Sequence, residues 1–299
     1  MSTVYKRPQC ATWFLRFRIS LMRGIGAILR FLLVKPYPRA TVTYSDTNPR
    51  HRCIVYRPPT MTAATGLYVH IHGGGFSGGV PEEDGEFCSY LAEKADLTVV
   101  SAQYRFAPEH PFPTGLNDAL EVVEWAKREY GVGKKLAVGG SSSGGTFALA
   151  LAQLLARKGT PLDSVVALYP VMDFSPDSKS TLPEKNPWIR DLFHEAYLLK
   201  VDGDDDLKNP ILSPKYAPAA QMPPSIVMII PEVDPNRPDM EDFMERMERE
   251  KGVGVISLFC AKCFHGWDHI SEWLLGPERT KSKWEALDLI ATEMRKVLH

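Results

Sequence analysis

A glycine-rich turn between two apolar segments constrains the fold of this chain more than any other feature. Residues 135–139 have the pattern of a short buried strand, and residues 146–158 have the pattern of a strong helix. Between them stands Gly140-Ser-Ser-Ser-Gly144, which fits G-x-S-x-G. Glycine lacks Cβ, so such a turn can close and the helix can pack near the strand. The pattern predicts a strained turn that holds the Ser142 hydroxyl exposed.

A second glycine run, His72-Gly-Gly-Gly75, follows another apolar segment at residues 66–71. Consecutive glycines at a strand end can aim their backbone N–H groups at one point, which is how an oxyanion hole is built. Either motif alone is a weak signal. The two together, in this order and each at a strand end, predict nucleophilic serine chemistry.

The order of apolar segments predicts a sheet layered with helices. Extended segments are expected at residues 40–44, 52–57, 66–72, 97–104, 135–140, 164–169, 225–231 and 254–261, and helices at 114–130, 143–158, 238–250 and 281–298. Apolar strands separated by helices indicate an α/β fold with a mostly parallel sheet covered on both faces. Residues 175–218 break this alternation and are expected to form an insertion over one end of the sheet.

Composition adds limits on partners and cofactors. The 299 residues fit one α/β domain, and a net charge of −1 gives no reason to expect a nucleic acid partner. Five cysteines at irregular spacing favour reduced thiols and a cytoplasmic protein. Cys260 and Cys263 form C-x-x-C, but neither a second pair nor a histidine at zinc spacing completes a site. We therefore expect neither a metal nor a cofactor.

The N-terminal region is basic and apolar. Residues 1–45 carry eight Lys or Arg and no acidic residue, and the longest charge-free stretch in the middle, residues 24–29, is too short to span a bilayer. Three interpretations remain open: a helix of the folded domain, which we favour, a membrane-surface helix, or a targeting peptide. Peripheral membrane contact of residues 11–35 therefore stays open. The chain is expected to be a monomer or a homodimer.

A serine nucleophile needs a base, and the base needs an orienting acid. In α/β-hydrolases these groups follow the serine in the order acid, then histidine, at the carboxyl ends of strands. Asp234 follows the apolar segment at 225–231, and His265 follows the segment at 254–261. These two are the predicted partners of Ser142.

Other residues compete for both roles. Glu232 is two residues nearer its strand and should point differently, and Asp173 follows the preceding strand. Asp268 and His269 lie next to the favoured histidine, and either histidine can reach the serine. The choice between these residues stays open at this point.

Several longer motifs resemble the hormone-sensitive-lipase-like branch of the α/β-hydrolases, from about residue 50 to the end of the chain. The motifs are His72-Gly-Gly-Gly-Phe76, Tyr104-Arg-Phe-Ala-Pro-Glu-His-Pro-Phe-Pro113, Gly140-Ser-Ser-Ser-Gly-Gly145, Asp234-Pro235 and His265-Gly266. The block from Tyr104 to Pro113 is the most specific of them. The resemblance implies an α/β-hydrolase fold and esterase chemistry.

The resemblance also implies residue roles. Ser142 would be the nucleophile, His265 the base and Asp234 its partner. The N–H groups of Gly74, Gly75 and Ser143 would form the oxyanion hole, and His72 would brace the glycine loop. In such enzymes the N-terminal helices and an insertion form a cap, which here implies a cap of residues 1–45 and 175–218 over a core of 46–174 and 219–299.

This chain departs from the family pattern at three positions. Ser141 stands where an aspartate often precedes the nucleophile, Ser143 where alanine often follows it, and Asn236 where leucine is usual. None of these changes removes a catalytic group. They bear on specificity more than on activity.

The leading hypothesis is a serine carboxylic-ester hydrolase acting on short-to-medium acyl esters of an apolar alcohol. Its pocket is expected to be lined by aromatic side chains, among them Phe76, Phe174, Trp188 and Trp267. Two alternatives are a biosynthetic deacetylase or cyclase with the same three residues, and a non-catalytic binding protein on the same scaffold. The second alternative is weaker because all three catalytic positions are filled.

Overall fold

A computed structural model describes residues 11–33, 37, 39–46, 51–60, 65–180, 187–201, 203–251 and 254–299. Within them an eight-stranded sheet forms the core. The strands are β1 (Ala40–Tyr44), β2 (Arg52–Tyr56), β3 (Leu67–Ile71), β4 (Thr98–Ala102), β5 (Leu136–Ser141), β6 (Ser164–Leu168), β7 (Ser225–Pro231) and β8 (Gly254–Cys260). The helices are α1 (Ala11–Leu33), α2 (Gly85–Lys94), α3 (Thr114–Tyr130), α4 (Ser143–Arg157), α5 (Pro187–Tyr197), α6 (Asp204–Leu207), α7 (Arg237–Lys251), α8 (Glu272–Leu275) and α9 (Pro277–Leu298).

The sheet has the order β1-β2-β4-β3-β5-β6-β7-β8. From β4 to β8 all neighbours are parallel, while β1 and β2 are antiparallel additions at one edge. Every residue of β3, β4, β5 and β6 is buried, because helices cover both faces of the sheet. The predicted α/β-hydrolase fold is confirmed, and the parallel strands bring their carboxyl ends to one edge.

Helix α2 is absent from the sequence-based expectation. It has ten residues and buries one apolar stripe, formed by Phe87, Cys88, Leu91 and Ala92. Fewer than three turns give little periodicity to detect, and charged residues interrupt the stripe. The helix matters here because Asp84 lies at its start.

Helices α1 and α5 lie against each other. Leu15 and Ile19 are buried, and the Arg23 guanidinium donates hydrogen bonds to the carbonyls of Ser77 and Ala107, so α1 is tied to the loop that follows the glycine run. The opposite side of α1 exposes large apolar side chains: Trp13, Phe14, Phe17, Leu21 and Ile25. None of the helices in the described ranges is long and apolar enough to cross a membrane. Residues 1–10, 34–36 and 38 of the expected N-terminal segment lie outside those ranges.

Candidate active site

The turn between β5 and α4 carries Ser142. Its backbone has φ 51° and ψ −118°, and a positive φ is rare for any residue other than glycine. A Cβ on Gly140 or Gly144 would lie 2.4 or 1.9 Å from the Ile71 carbonyl oxygen, so only glycine fits on either side of the turn. Close packing against β3 keeps the turn in this strained conformation, with Ser142 directly after the end of β5.

Ser142, His265 and Asp234 form a continuous hydrogen-bonded arrangement. Ser142 Oγ lies 2.7 Å from His265 Nε2, and His265 Nδ1 lies 2.7 Å from Asp234 Oδ2. Because the carboxylate can only accept, Nδ1 carries the proton there and Nε2 is free to accept from the serine hydroxyl. Asp234 is positioned by the turn after β7, where its Oδ1 accepts the N–H of Asn236 at 2.8 Å.

The charge around His265 favours its protonated form. Burial of the ring acts to lower its pKa, but the charge of Asp234 and the hydrogen bond that His265 donates to it outweigh burial, and the pKa is raised. Asp268 raises it further, and His269 acts in the opposite direction. The site is therefore built to accept a proton from the serine.

The competing residues are engaged elsewhere. Glu232 Oε2 accepts the backbone N–H of Lys262 at 2.6 Å. Asp173 accepts a hydrogen bond from the hydroxyl of Tyr216 at 3.0 Å. His269 Nε2 lies 3.5 Å from Asp84 Oδ1, so this histidine faces Asp84 and not the serine. The structure thus brings together the three residues expected from the sequence and leaves the alternatives outside.

The glycine loop lies directly against this turn. A Cβ on Gly73 would sit 3.1 Å from Ser141 Oγ and 3.6 Å from Ser142 Cβ. Gly74 has φ +121°, and its carbonyl accepts the N–H groups of Ser77 and Gly78, each at 3.1 Å. The loop is a tight turn that only glycine can make at this position.

His72 directly precedes this loop, and its ring contacts the loop backbone. Its ring is buried, Nδ1 lies 2.7 Å from the Gly73 carbonyl oxygen, and the ring stacks on Tyr104 with centroids 4.5 Å apart. Burial lowers the pKa of His72, so the ring is neutral and donates to the carbonyl. The Tyr104 hydroxyl donates to the His72 carbonyl at 3.3 Å and lies 3.4 Å from Ser143 Oγ. The unusual hydroxyl of Ser143 therefore has a partner within the fold.

The aromatic residues expected to line a pocket have different surroundings. Phe76 stacks on Tyr197 of α5 with ring centroids 3.8 Å apart, and Phe174 packs 5.8 Å from Phe76. Trp267 is completely buried and packs edge-on against Tyr169, so it supports the histidine turn and presents no surface to a substrate. The side chain of Trp188 lies outside the described part of the structure.

Among the described residues, one group has the spacing of metal ligands. Atoms of His51, Asp118 and Glu121 lie within 4.8 Å of one another. The Asp118 carboxylate already receives the Arg105 guanidinium at 2.6 and 2.8 Å and the Arg105 backbone N–H at 2.9 Å. A side-chain cation thus holds the central ligand of this group.

The sequence predicts no role for Tyr169, and it offers Asp268 only as a competing residue. The Tyr169 hydroxyl donates to Asp268 at 2.5 Å, and its ring meets the His265 ring edge-on at 5.0 Å. Tyr169 has φ 40°, a second strained residue beside the site. No motif marks this pair, because it forms only when β6 and the turn after β8 come together.

Comparisons with known proteins agree with this architecture. Residues 68–269 match the model of a protein family with the α/β-hydrolase fold. The chain belongs to this family. A hyperthermophilic esterase from the archaeon Pyrobaculum calidifontis has the same fold, with a TM-score of 0.79 over 96% of this chain and 97% of that one at 24% identity.

Two curated relatives show which proteins this chain is similar to in sequence. Carboxylic ester hydrolase LipN of Mycobacterium tuberculosis is 32% identical over 228 residues, which are 71% of this chain and 59% of LipN. An arylesterase of Saccharolobus solfataricus is 30% identical over 210 residues, 68% of each chain. The matched region thus spans less than two thirds of LipN. The sequence relatives with which this chain groups are thus ester hydrolases by name.

Proposed function

We propose that this protein is a serine carboxylic-ester hydrolase that works through an acyl-enzyme. His265 takes the proton of Ser142 as its oxygen attacks the ester carbonyl, and returns the proton to the departing alcohol. Water then attacks the acyl-enzyme with the same assistance and releases the acid. Asp234 orients the ring and stabilises the imidazolium. The observation that carries the proposal is the Ser142–His265–Asp234 arrangement, with both contacts at 2.7 Å.

We further propose that the N–H groups of Gly74, Gly75 and Ser143 hold the oxyanion, and that His72 braces their loop. Ser143 is the first residue of α4, and the first N–H groups of a helix have no acceptor within it. The glycine loop packs on the same turn, since a Cβ on Gly73 would lie 3.6 Å from Ser142 Cβ. Donors from a loop and from a helix start therefore converge beside the serine, where they would stabilise developing negative charge.

Labelling and substitution of the serine test the function. A fluorophosphonate should label Ser142 with one equivalent, and Ser142→Ala should reduce hydrolysis of an activated acetate ester about 10³–10⁶-fold while the fold is kept. Labelling at Ser141 or Ser143 would show that Ser142 is not the nucleophile. A Ser142→Ala variant with most of its activity would refute the proposal.

For the substrate, we propose short-to-medium acyl esters of an apolar alcohol. Support comes from aromatic side chains packed around the glycine loop: a Cβ on Gly75 would lie 2.7 Å from the Phe193 ring, and Phe76 is stacked under Tyr197. Such packing leaves limited room beside the oxyanion position. Added methylenes should strengthen binding until that room is filled.

A series of nitrophenyl esters tests this substrate class. The kcat/KM should rise from acetyl and reach its maximum by about hexanoyl. A maximum at long acyl chains would contradict the proposal. If Ser142 is labelled but no simple ester is hydrolysed, a dedicated biosynthetic substrate becomes the better explanation.

We also propose that residues 1–45 and 175–218 form a cap over a core of residues 46–174 and 219–299, and that the chain is cytoplasmic. Support for the cap comes from the contact of α1 with α5 and from Arg23, which binds the Ser77 carbonyl. Support for the location comes from buried free thiols at Cys53, Cys88, Cys260 and Cys263.

Deleting residues 11–33 tests both proposals. The deletion should impair activity or solubility, and in fractionation neither the full-length nor the truncated protein should associate with membranes. A truncated protein that leaves the membrane with full activity would overturn both proposals.

A further inference from the structure

A second buried carboxylate lies behind the serine turn. Asp84 is 4% exposed, although its neighbours Glu82 and Glu83 give the sequence the look of a solvated acidic turn. It stands at the start of α2, but its side chain makes no hydrogen bond to that helix end. The carboxylate is therefore not a helix cap, and its partners lie elsewhere.

Those partners come from three different segments. Ser141 Oγ donates to Asp84 Oδ1 at 3.4 Å, and His269 Nε2 lies 3.5 Å from the same oxygen. His70 Nε2, from the centre of β3, lies 3.1 Å from Oδ2, although the two are not aligned for a hydrogen bond. One carboxylate thus joins the central sheet, the serine turn and the turn that follows β8.

The position of these partners in the chain gives the contact its meaning. Ser141 immediately precedes the nucleophile, and His269 follows the base by four residues in the turn Trp267–His269. Ser142 and His265 are otherwise delivered by separate strands. Asp84 contacts both segments, so it connects the turn that carries Ser142 with the turn that follows His265.

Opposite charges stabilise the contact between Asp84 and His269. Burial acts to raise the pKa of Asp84, but the charges of His70 and His269 outweigh it and lower the pKa to about 2. The pKa of His269 is raised in turn: burial acts to lower it, while Asp268, Asp84 and Glu83 outweigh burial and Lys283 acts against them. The buried carboxylate and its cationic partner stabilise each other, because the carboxylate alone would be costly to bury.

On the basis of the proposed esterase function, we propose that Asp84 is a positioning residue. Through Ser141 and His269 it fixes the separation between the Ser142 hydroxyl and the His265 ring. It touches neither substrate nor reacting atoms. A misplacement of about 1 Å between reacting groups costs on the order of 10²-fold in rate, which is the size of effect expected from losing it.

Asp84→Asn tests the proposal, with Ser142 titrated by a fluorophosphonate so that rates are expressed per active site. We expect kcat per labelled site to fall about 10²-fold with KM nearly unchanged. A purely structural role would reduce the number of labelled sites and leave kcat per site intact, and that result would overturn the proposal. The matched control is Asp118→Asn, another buried carboxylate near a buried histidine, His51, which should keep its kcat per site.

Two milder variants keep the test decisive if Asp84→Asn does not fold. Ser141→Ala and His269→Gln each remove one partner, and each should lower kcat per site. If both act through Asp84, the double variant should lose less than the product of the two single losses. Fully independent losses, or single variants with unchanged kcat, would overturn the inference. Absence of labelling at Ser142 in the unaltered protein would instead refute the esterase function itself.

Discussion

Two aspartate–histidine pairs in this molecule are built from the same groups and are used differently. Asp234 holds His265 at 2.7 Å, and the far nitrogen of that ring meets the Ser142 hydroxyl while a third of its side chain stays exposed. Asp118 Oδ1 lies 3.4 Å from His51 Nε2, and both side chains are 1% exposed. The Arg105 guanidinium donates hydrogen bonds to the Asp118 carboxylate. The pair alone does not make a catalytic site. The group beyond the histidine and its access to a substrate do.

The charge of the two aspartates is accordingly used in different ways. Nothing but the imidazole and a backbone N–H contacts the Asp234 carboxylate among the hydrogen bonds of the described residues, so its charge is available to an imidazolium. The charge of Asp118 is offset by the Arg105 guanidinium. The first arrangement can change protonation during a reaction, whereas the second ties the segment after β4 to α3.

Asp234→Asn should separate the two pairs most strongly. The amide can no longer hold the required tautomer of His265 or stabilise its charge, so kcat should fall about 10⁴-fold, as for the same change in a serine protease. Steady-state kinetics with an activated ester measures this, and Glu232→Gln is the matched control with a much smaller effect. If the glutamine variant lost more activity, the acid would be wrongly assigned.

Asp118→Asn should affect stability and leave catalysis unchanged. The Arg105 guanidinium would lose its charged acceptor, which should lower the free energy of unfolding by about 1–3 kcal/mol at neutral pH. Burial acts to raise the pKa of Asp118, but hydrogen bonds from Arg105 and His51 outweigh it and the pKa is lowered. A lowered folded-state pKa gives stability that is present above the unfolded value of about 3.9 and is lost as pH falls below it.

Denaturant unfolding at neutral and acidic pH checks this stability effect. The difference between the two proteins should shrink as pH falls below about 4. A difference that stays constant with pH would show that the carboxylate charge is not what stabilises this region. A large loss of kcat per active site would show instead that the Asp118 pair supports catalysis.

The smallest effect is expected in the pH dependence of kcat/KM. The base must be neutral to accept the serine proton, so activity should rise with pH through the pKa of His265. That pKa is raised, since Asp234 outweighs burial, and the acidic limb should therefore lie above about 6.5. In Asp234→Asn the limb should move to lower pH. An acidic limb that did not move would mean that another group titrates.

Much of the fold was predictable because its signals are local. The bounds of β1, α3 and β7 agree with the expected segments 40–44, 114–130 and 225–231. Long apolar runs and an amphipathic helix carry their period within themselves. Helix α2 was missed because its stripe is short, and α5 because the insertion shows no regular alternation with strands. Both become helices where they can pack on neighbours.

The sequence by itself determined the glycine turns, because a backbone with positive φ or with no room for Cβ leaves glycine as the residue that fits, whatever surrounds it. It also determined which strand ends carry a serine, an acid and a histidine. Only the tertiary structure showed that Asp234 and His265, rather than Glu232 and His269, lie in hydrogen-bond contact in line with Ser142, because residues two or four apart differ in direction and not in chemistry. It alone revealed Asp84 beneath the serine turn, since burial and charge partners arise from segments far apart in the chain.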